Sequence, residues 1–449
     1  MFDKMYPVML DKDKYSIQSI LFGHRIKPKQ TLYEYLIEFL IVVMAEKIIA
    51  GKEYTDKFPL TDSIIGNRII YKPVSNIGLK RLIFLENSRI DTRADIDKKA
   101  YKKCKELVSE HIDGDSVLSE NECLFILQNI LYGFSIENTG RSWFVKNLLP
   151  VCADVLFPEA LGTQKMRKDI HLDNCDESVD KKFEYNSYTY MCRGGEIYYL
   201  HLLHALNASP DRKESIENKL TKMIDSMPEI SKISKFIQNI WTDEMKIDDS
   251  SIIEKTLGAI PDDFSRRDKF TIAELENFLS CSIQPMEKIN LFSYGIILQM
   301  LRMMFSVADH VENSCTVWVM DISNSTYREH SEILKLCTES FVKNEESIKK
   351  YIYNGIEYYY STNKTQEEKD KMFSDAEKDS YKLFRKLAKN IGILIPLNGG
   401  NMRFTLSEEI IKFLVMSLIP ATKKVTYDQF LDMMYEHFGM IVSFEHYHR

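Results

Sequence analysis

The feature that most constrains this chain is a recurring helix-start signal, each time followed by apolar residues at helical spacing. A Ser or Thr precedes an acid or Gln by three positions at Thr31/Glu34, Ser119/Glu122, Thr271/Glu274, Thr405/Glu408 and Thr426/Gln429. In such a capping box the hydroxyl accepts a backbone amide one turn in, and the acid or amide side chain reaches back, so each pair predicts a helix start. After Thr31, Leu36, Phe39, Leu40 and Val43 recur at i, i+3, i+4, i+7. Residues 286–311 predict a long, nearly all-apolar helix, and 335–360 another with a charged interruption at 343–350. Strand-like runs are few and isolated, at 68–74, 185–191 and 316–322. With only 17 Gly and 12 Pro in 449 residues, a turn-rich all-β architecture is excluded. The expected class is mainly α.

Charge and cysteines narrow the setting. The net charge of −7 argues against a surface that coats nucleic acid throughout, while leaving room for a local basic face. The eight cysteines are scattered without a C-x-x-C pair and read as reduced core thiols. The opening residues, MFDKMYPVMLDKDKYS, lack the apolar run of a secretory signal. The apolar run from Phe39 to Ala45 is too short for a bilayer, which needs about 20 residues. A cytoplasmic location without membrane contact is expected. Two polar stretches, 169–182 and 361–380, read as linkers, giving helical regions at 1–168 and 183–360 and a C-terminal domain at 361–449.

The most organised pattern lies near the C-terminus. Phe384, Leu387, Ala388 and Ile391 form an apolar stripe, and Lys382, Arg385, Lys386 and Lys389 repeat the same spacing on the opposite helix face. Two β-like runs then flank Asn398-Gly399-Gly400-Asn401, a hairpin signal, and Pro420 stops the helix that follows. Eight Lys/Arg face three acids between Tyr381 and Asp428, a local net of +5. The run YKLFRKLAKNIGILIPLNGGNMRFTLSEEI resembles the end of a winged helix-turn-helix domain: recognition helix, wing, following helix. That resemblance implies an α+β winged-helix unit at the end of a large helical body. It places Lys382, Arg385, Lys386 and Lys389 against DNA, with Asn398, Asn401 and Arg403 at the wing. The acid-rich stretch 366–380 departs from the pattern, because it would repel phosphate where the family's second helix should lie. Winged helices also serve as protein-docking folds.

Other constellations point to chemistry less directly. His201 and His204 share a helix face and could ligate a metal with Glu196 or Glu177, although aliphatic neighbours favour core histidines. Arg193-Gly194-Gly195 precedes that helix and is a candidate anion site; a simple tight turn explains it equally. Asp169, His171, Asp173, Cys175, Asp176, Glu177 and Asp180 form an acidic loop without EF-hand spacing. Asp321 ends a Walker-B-like run, but no phosphate-binding P-loop motif accompanies it. Glu86, Asp91, Asp95, Asp97 and Lys98 could serve a nuclease core or simply begin a charged helix, and Lys98, Lys99, Lys102, Lys103 and Lys105 form a second basic cluster. No catalytic residue, resident metal or cofactor is assigned.

The phrases GHRIKPKQTLYEYLIEFL, RGGEIYYLHLLHAL, MRFTLSEEIIKFLVMSLIP and FLDMMYEHFG resemble mostly helical accessory subunits of multi-gene bacterial DNA-defence systems, such as the G subunit of phosphorothioation-dependent restriction. This implies a non-catalytic DNA-binding or scaffolding subunit that meets double-stranded DNA and a co-encoded ATPase or nuclease. A metal-dependent nuclease component and a transcriptional regulator are the alternatives.

Overall fold

The computed structural model describes residues 4–7, 16–23, 30–73, 76–86, 95–114, 117–136, 146–157, 194–245, 255–312, 317–322, 331–362, 364–378 and 380–442. The architecture is mostly helical with small sheets. Strand β1 (Met5–Tyr6) leads to α1 (Ile17–Phe22) and then α2 (Leu32–Met44), which opens on the Thr31/Glu34 capping box expected from the sequence. From Tyr35 to Val43 every residue of α2 is buried, so the helix runs through the core and not along its surface. Ala45 turns extended, and β2 (Glu46–Ile49) folds back on β3 (Lys52–Tyr54) through Ala50 and Gly51, both at positive φ as a tight hairpin turn requires. Strand β4 (Ile69–Lys72), legible in the 68–74 run, pairs antiparallel with β2.

Helices α3 (Ile77–Phe84), α4 (Asp95–Glu110) and α5 (Glu120–Tyr132) follow, the last opening on the Ser119/Glu122 box. Next come α6 (Gly194–Ala208), α7 (Lys213–Ile224) and α8 (Pro228–Asn239). Strand β5 (Lys255–Thr256) completes an antiparallel sheet of order β3-β2-β4-β5, and β6 (Ile260–Pro261) pairs with β1. Helix α9 (Asp268–Ser280) precedes the 28-residue α10 (Pro285–Glu312). Over Pro285–Asp309, α10 is long and apolar enough to cross a membrane by length and composition, and most of that stretch is buried inside the protein. It packs against α2, α6, α11 (Ser331–Tyr360), α13 (Tyr381–Asn390) and α14 (Glu408–Leu418), which accounts for apolar residues on all its faces.

Strand β7 (Trp318–Asp321) lies before α11, and α12 (Gln366–Lys378) and α13 come after it. Strands β8 (Leu394–Ile395) and β9 (Arg403–Thr405) form the expected antiparallel hairpin. Helices α14 and α15 (Tyr427–Phe438) and strand β10 (Met440–Ile441) end the described chain, α15 opening on the Thr426/Gln429 box. The last sheet has the order β10-β7-β9-β8, with β7 parallel to both neighbours.

Several sequence expectations are corrected. The stretch 361–380 is largely helix, not linker: Thr365 and Glu368 cap α12 as a box not singled out in the sequence, with the Thr365 amide donating to Glu368 Oε2 at 2.8 Å. The charged residues 343–350 do not interrupt α11, because Lys and Glu are good helix formers and Lys349 pairs with Glu345 one turn back at 3.3 Å. Thr271 is not a cap; α9 begins at Asp268 and leaves Thr271 fully buried. Thr405 belongs to β9, and Ser407 caps α14 instead, accepting the Ile410 amide. The runs 169–182 and 185–191 lie outside the described residues.

Among the described glycines, Gly195 comes nearest another backbone, where α6 meets α2. A Cβ on Gly195 would sit 2.2 Å from the Tyr35 carbonyl oxygen, and one on Gly194 would sit 2.4 Å from the Tyr35 ring. Gly195→Ala should therefore force the helices apart and cost about 1–3 kcal/mol, whereas Gly400→Ala, in open space, should be nearly neutral. Urea unfolding of both variants measures the difference, and equal midpoints would refute the close approach.

Candidate nucleic-acid interface

Helix α13 presents the two faces read from the sequence, but its basic face is partly spent inside the protein. Phe384, Leu387, Ala388 and Ile391 are buried. Phe384 meets Phe305 of α10 edge-on at 4.7 Å and packs near Phe341 of α11 and Phe404 of β9. Trp318 of β7 stacks on Phe404 at 5.2 Å and donates its indole N–H to Asn344 Oδ1 at 2.9 Å. This aromatic cluster fixes the rotation of α13 about its axis.

Of the four cations, Arg385 is the one bound to a buried acid. Its Nη2 donates to Glu345 Oε2 at 2.6 Å and its Nε donates to the other carboxylate oxygen, a bidentate pair that holds α13 to α11. Glu345 is nearly buried, so Arg385 is committed to it. Lys382 pairs with Glu377 at 3.0 Å, with both side chains partly exposed. Lys389 Nζ donates to the Leu397 carbonyl at 2.9 Å, tying α13 to the hairpin. Lys386 is exposed. Residues 397–401 are exposed too, so Asn398 and Asn401 stand at the hairpin tip beside Leu397. Arg403 does not: its Nε donates to Asp321 Oδ2 at 2.8 Å, and Asp321 is fully buried. The Walker-B-like Asp321 is thus one half of a structural ion pair, and its carbonyl also accepts the Thr405 hydroxyl at 2.7 Å.

The Gly194-Gly195 turn does bind an anion, and the anion is the chain's own. The Gly195 amide donates to Glu38 Oε2 at 2.8 Å, and Glu38 is 3% exposed. A free phosphate cannot enter where that carboxylate already occupies the start of α6. Arg193 lies outside the described residues, as do the acidic loop 169–182 and Asp91. Glu86 accepts the Tyr101 hydroxyl. Asp95 and Asp97 sit at the start of α4. Lys98, Lys99 and Lys102 are exposed on that helix, and Lys103 and Lys105 are half-buried.

His201 and His204 each take a partner from α9. His201 is fully buried with Nε2 hydrogen-bonded to Thr271 Oγ1 at 2.9 Å. His204 Nδ1 lies 2.9 Å from Asp268 Oδ2, and its ring borders a cleft of about 520 Å³ lined also by Lys4, Tyr6, Asp62, Asn207 and Asp262. Glu196, the expected third ligand, accepts the Tyr71 hydroxyl. Among the described residues no group of three or more His, Cys, Asp or Glu is placed to hold a metal ion. Sequence spacing could not find Asp268 or Glu345, since each lies tens of residues from its partner and belongs to a different helix.

Burial, reinforced by the charge of Arg267, lowers the His201 pKa to about 3. For His204 burial opposes the charge, and the hydrogen bond and charge of Asp268, with Asp262 behind them, outweigh it and raise the pKa. The two histidines act on stability in opposite senses. His201 stays neutral in the folded chain while the unfolded chain protonates, so below pH ~6.5 stability falls by up to about 1.4 kcal/mol per pH unit. The His204 contribution is complete below pH ~6.5 and is lost as pH rises through its higher folded value. Urea unfolding at pH 7, 6 and 5 should show a shallower acid slope for His201→Gln than for the wild type; parallel slopes would remove the assignment. On α13, Arg385→Ala should lower stability by about 1 kcal/mol, and Lys386→Ala should leave the melting temperature unchanged.

No protein-family model, curated protein or solved structure matches the chain.

Proposed function

We propose that this chain is a non-catalytic DNA-binding or scaffolding subunit of a bacterial DNA-defence complex, meeting duplex DNA through the α13–hairpin surface and acting with an ATPase or nuclease partner. The observation that carries the reading is the two-sidedness of α13, packed on aromatics on one face, with Lys386 and the hairpin tip exposed. Lys382 and Lys389 add to that surface. A half-exposed Lys–Glu pair is worth only ~0–1 kcal/mol, so exchanging Glu377 for a DNA phosphate costs little. Arg385 and Arg403 are excluded from the contact set by their buried or nearly buried partners. Helix α12, next along the chain, exposes Glu367, Glu368 and Asp370, which repel phosphate. For the scaffolding half of the reading, α14 exposes Ile411 and Val415 one turn apart, and α15 exposes Tyr427 and Tyr435.

The test is fluorescence anisotropy of a labelled 20-bp duplex over a salt series. Three phosphate contacts give a log–log salt slope of about −2.7, lost in the variant with Lys382, Lys386 and Lys389 changed to Ala and retained in Arg385→Ala. Absence of binding by the wild type would leave only the scaffolding role, to be read by co-purification with the co-encoded proteins.

A further inference from the structure

A second cleft, of about 390 Å³, lies where the end of α7 meets the end of α9 and the start of α10. Lys219 and Lys222 of α7, Lys288 of α10, and the hydroxyl-bearing Ser226, Ser280 and Ser282 line it, and no acidic residue does among those described. Cations gathered in a recess raise each other's energy unless something neutralises them, and Glu276 reaches only one of these three. Two nearby acids are already engaged. Glu276 takes Arg212 at 2.5 Å, Lys219 at 3.1 Å and the Ser215 hydroxyl at 2.7 Å. Glu287, in the first turn of α10, lies 3.6 Å from Lys412.

Lys219 is therefore neutralised, and the other two lysines are not. Lys222 is exposed and has no ion-pair partner among the described residues. Lys288 Nζ donates to the carbonyls of Leu279 at 3.0 Å and Cys281 at 2.5 Å. Neutral carbonyls fix the position of that ammonium and leave its charge intact. Lys222 and Lys288 line the same recess, and burial lowers the Lys288 pKa, with Cys281 opposing and Lys222 adding to the shift.

We propose that this cleft binds a phosphate dianion, free or as the terminal monoester of a small phosphorylated molecule, with Lys222 and Lys288 supplying the two neutralising charges and the Ser282 hydroxyl supplying a hydrogen bond. Two uncompensated ammonium groups match two negative charges; Ser226 and Ser280 already donate to the Val151 and Glu276 carbonyls, which leaves the Ser282 hydroxyl to donate to an acceptor oxygen. A diester carries one charge and a substituent on either side, and suits neither the charge count nor the recess. The site is separate from the α13 surface and does not depend on it.

Isothermal titration calorimetry of the full chain, at fixed ionic strength in chloride buffer, tests the proposal with inorganic phosphate, glycerol 3-phosphate and dimethyl phosphate. Both dianions should bind, with dimethyl phosphate weaker by about tenfold or more, the loss expected for one charge-assisted contact. Tighter binding of glycerol 3-phosphate identifies a phosphorylated small molecule as the source, and binding of inorganic phosphate alone identifies the free ion. Lys222→Glu, an exposed change whose folding is checked by its melting temperature, should abolish the heat, and Lys222→Arg should keep it. No binding of either dianion, equal binding of the diester, or unchanged binding by Lys222→Glu would overturn the proposal.

Discussion

The contact on which the rest of the core is arranged is the crossing of α2 and α6, where two backbones touch with only hydrogens between them. A helix start at that depth leaves amide groups without water, and an unpaired buried donor costs about 1–3 kcal/mol. Glu38 resolves this by placing one carboxylate oxygen on the Gly195 amide while the other accepts the Gln30 side-chain amide at 2.5 Å. One side chain therefore neutralises the positive end of α6 and has its own charge neutralised in return. With α2 and α6 at that spacing, Phe39, Tyr198 and Phe292 of α10 can meet as a ring cluster, with centroids 5.2–6.4 Å apart. The long apolar helix acquires its seat from that cluster.

What the sequence made legible were features encoded within a few residues. The boxes at Thr31, Ser119 and Thr426 mark true helix starts, and the Asn-Gly-Gly-Asn run marks the hairpin, because caps and tight turns are decided by side chains next to the backbone they satisfy. The errors came where tertiary packing overruled the local signal. Thr271 has box spacing and is instead taken by His201 from another helix. Thr405 has box spacing and is drawn into β9 by pairing with Asp321. The polar composition of 361–380 concealed a helix whose Thr365/Glu368 box was present in the sequence.

The candidate interface was legible in outline and not in detail for the same reason. Helical periodicity separates the apolar stripe of α13 from the basic one, but it does not say which cations remain available. Arg385 and Arg403 each find a carboxylate far along the chain, Glu345 and Asp321, and their planar guanidinium groups suit such paired contacts better than lysine does. The lysines keep looser, more exposed contacts. The basic candidates thus divide by residue type, the two arginines held by buried acids and the lysines in looser contacts.

The position of β7 has a consequence for how the protein is made. Both of its sheet neighbours, β9 and β10, come later in the chain, and β9 lies more than 80 residues downstream. At ~5–20 residues per second on the ribosome, β7 waits on the order of 4–16 seconds before its first partner has even been synthesised. During that interval Trp318, Val319 and Met320 form an apolar strand with two open edges, the kind of segment that pairs with other chains. On one side α10, made earlier, already offers Phe305 to the Trp318 ring, and the next element to reach the strand is α11, whose Ser340 and Asn344 hold β7 by its backbone and indole groups. That helix follows within the next few tens of residues, long before the hairpin.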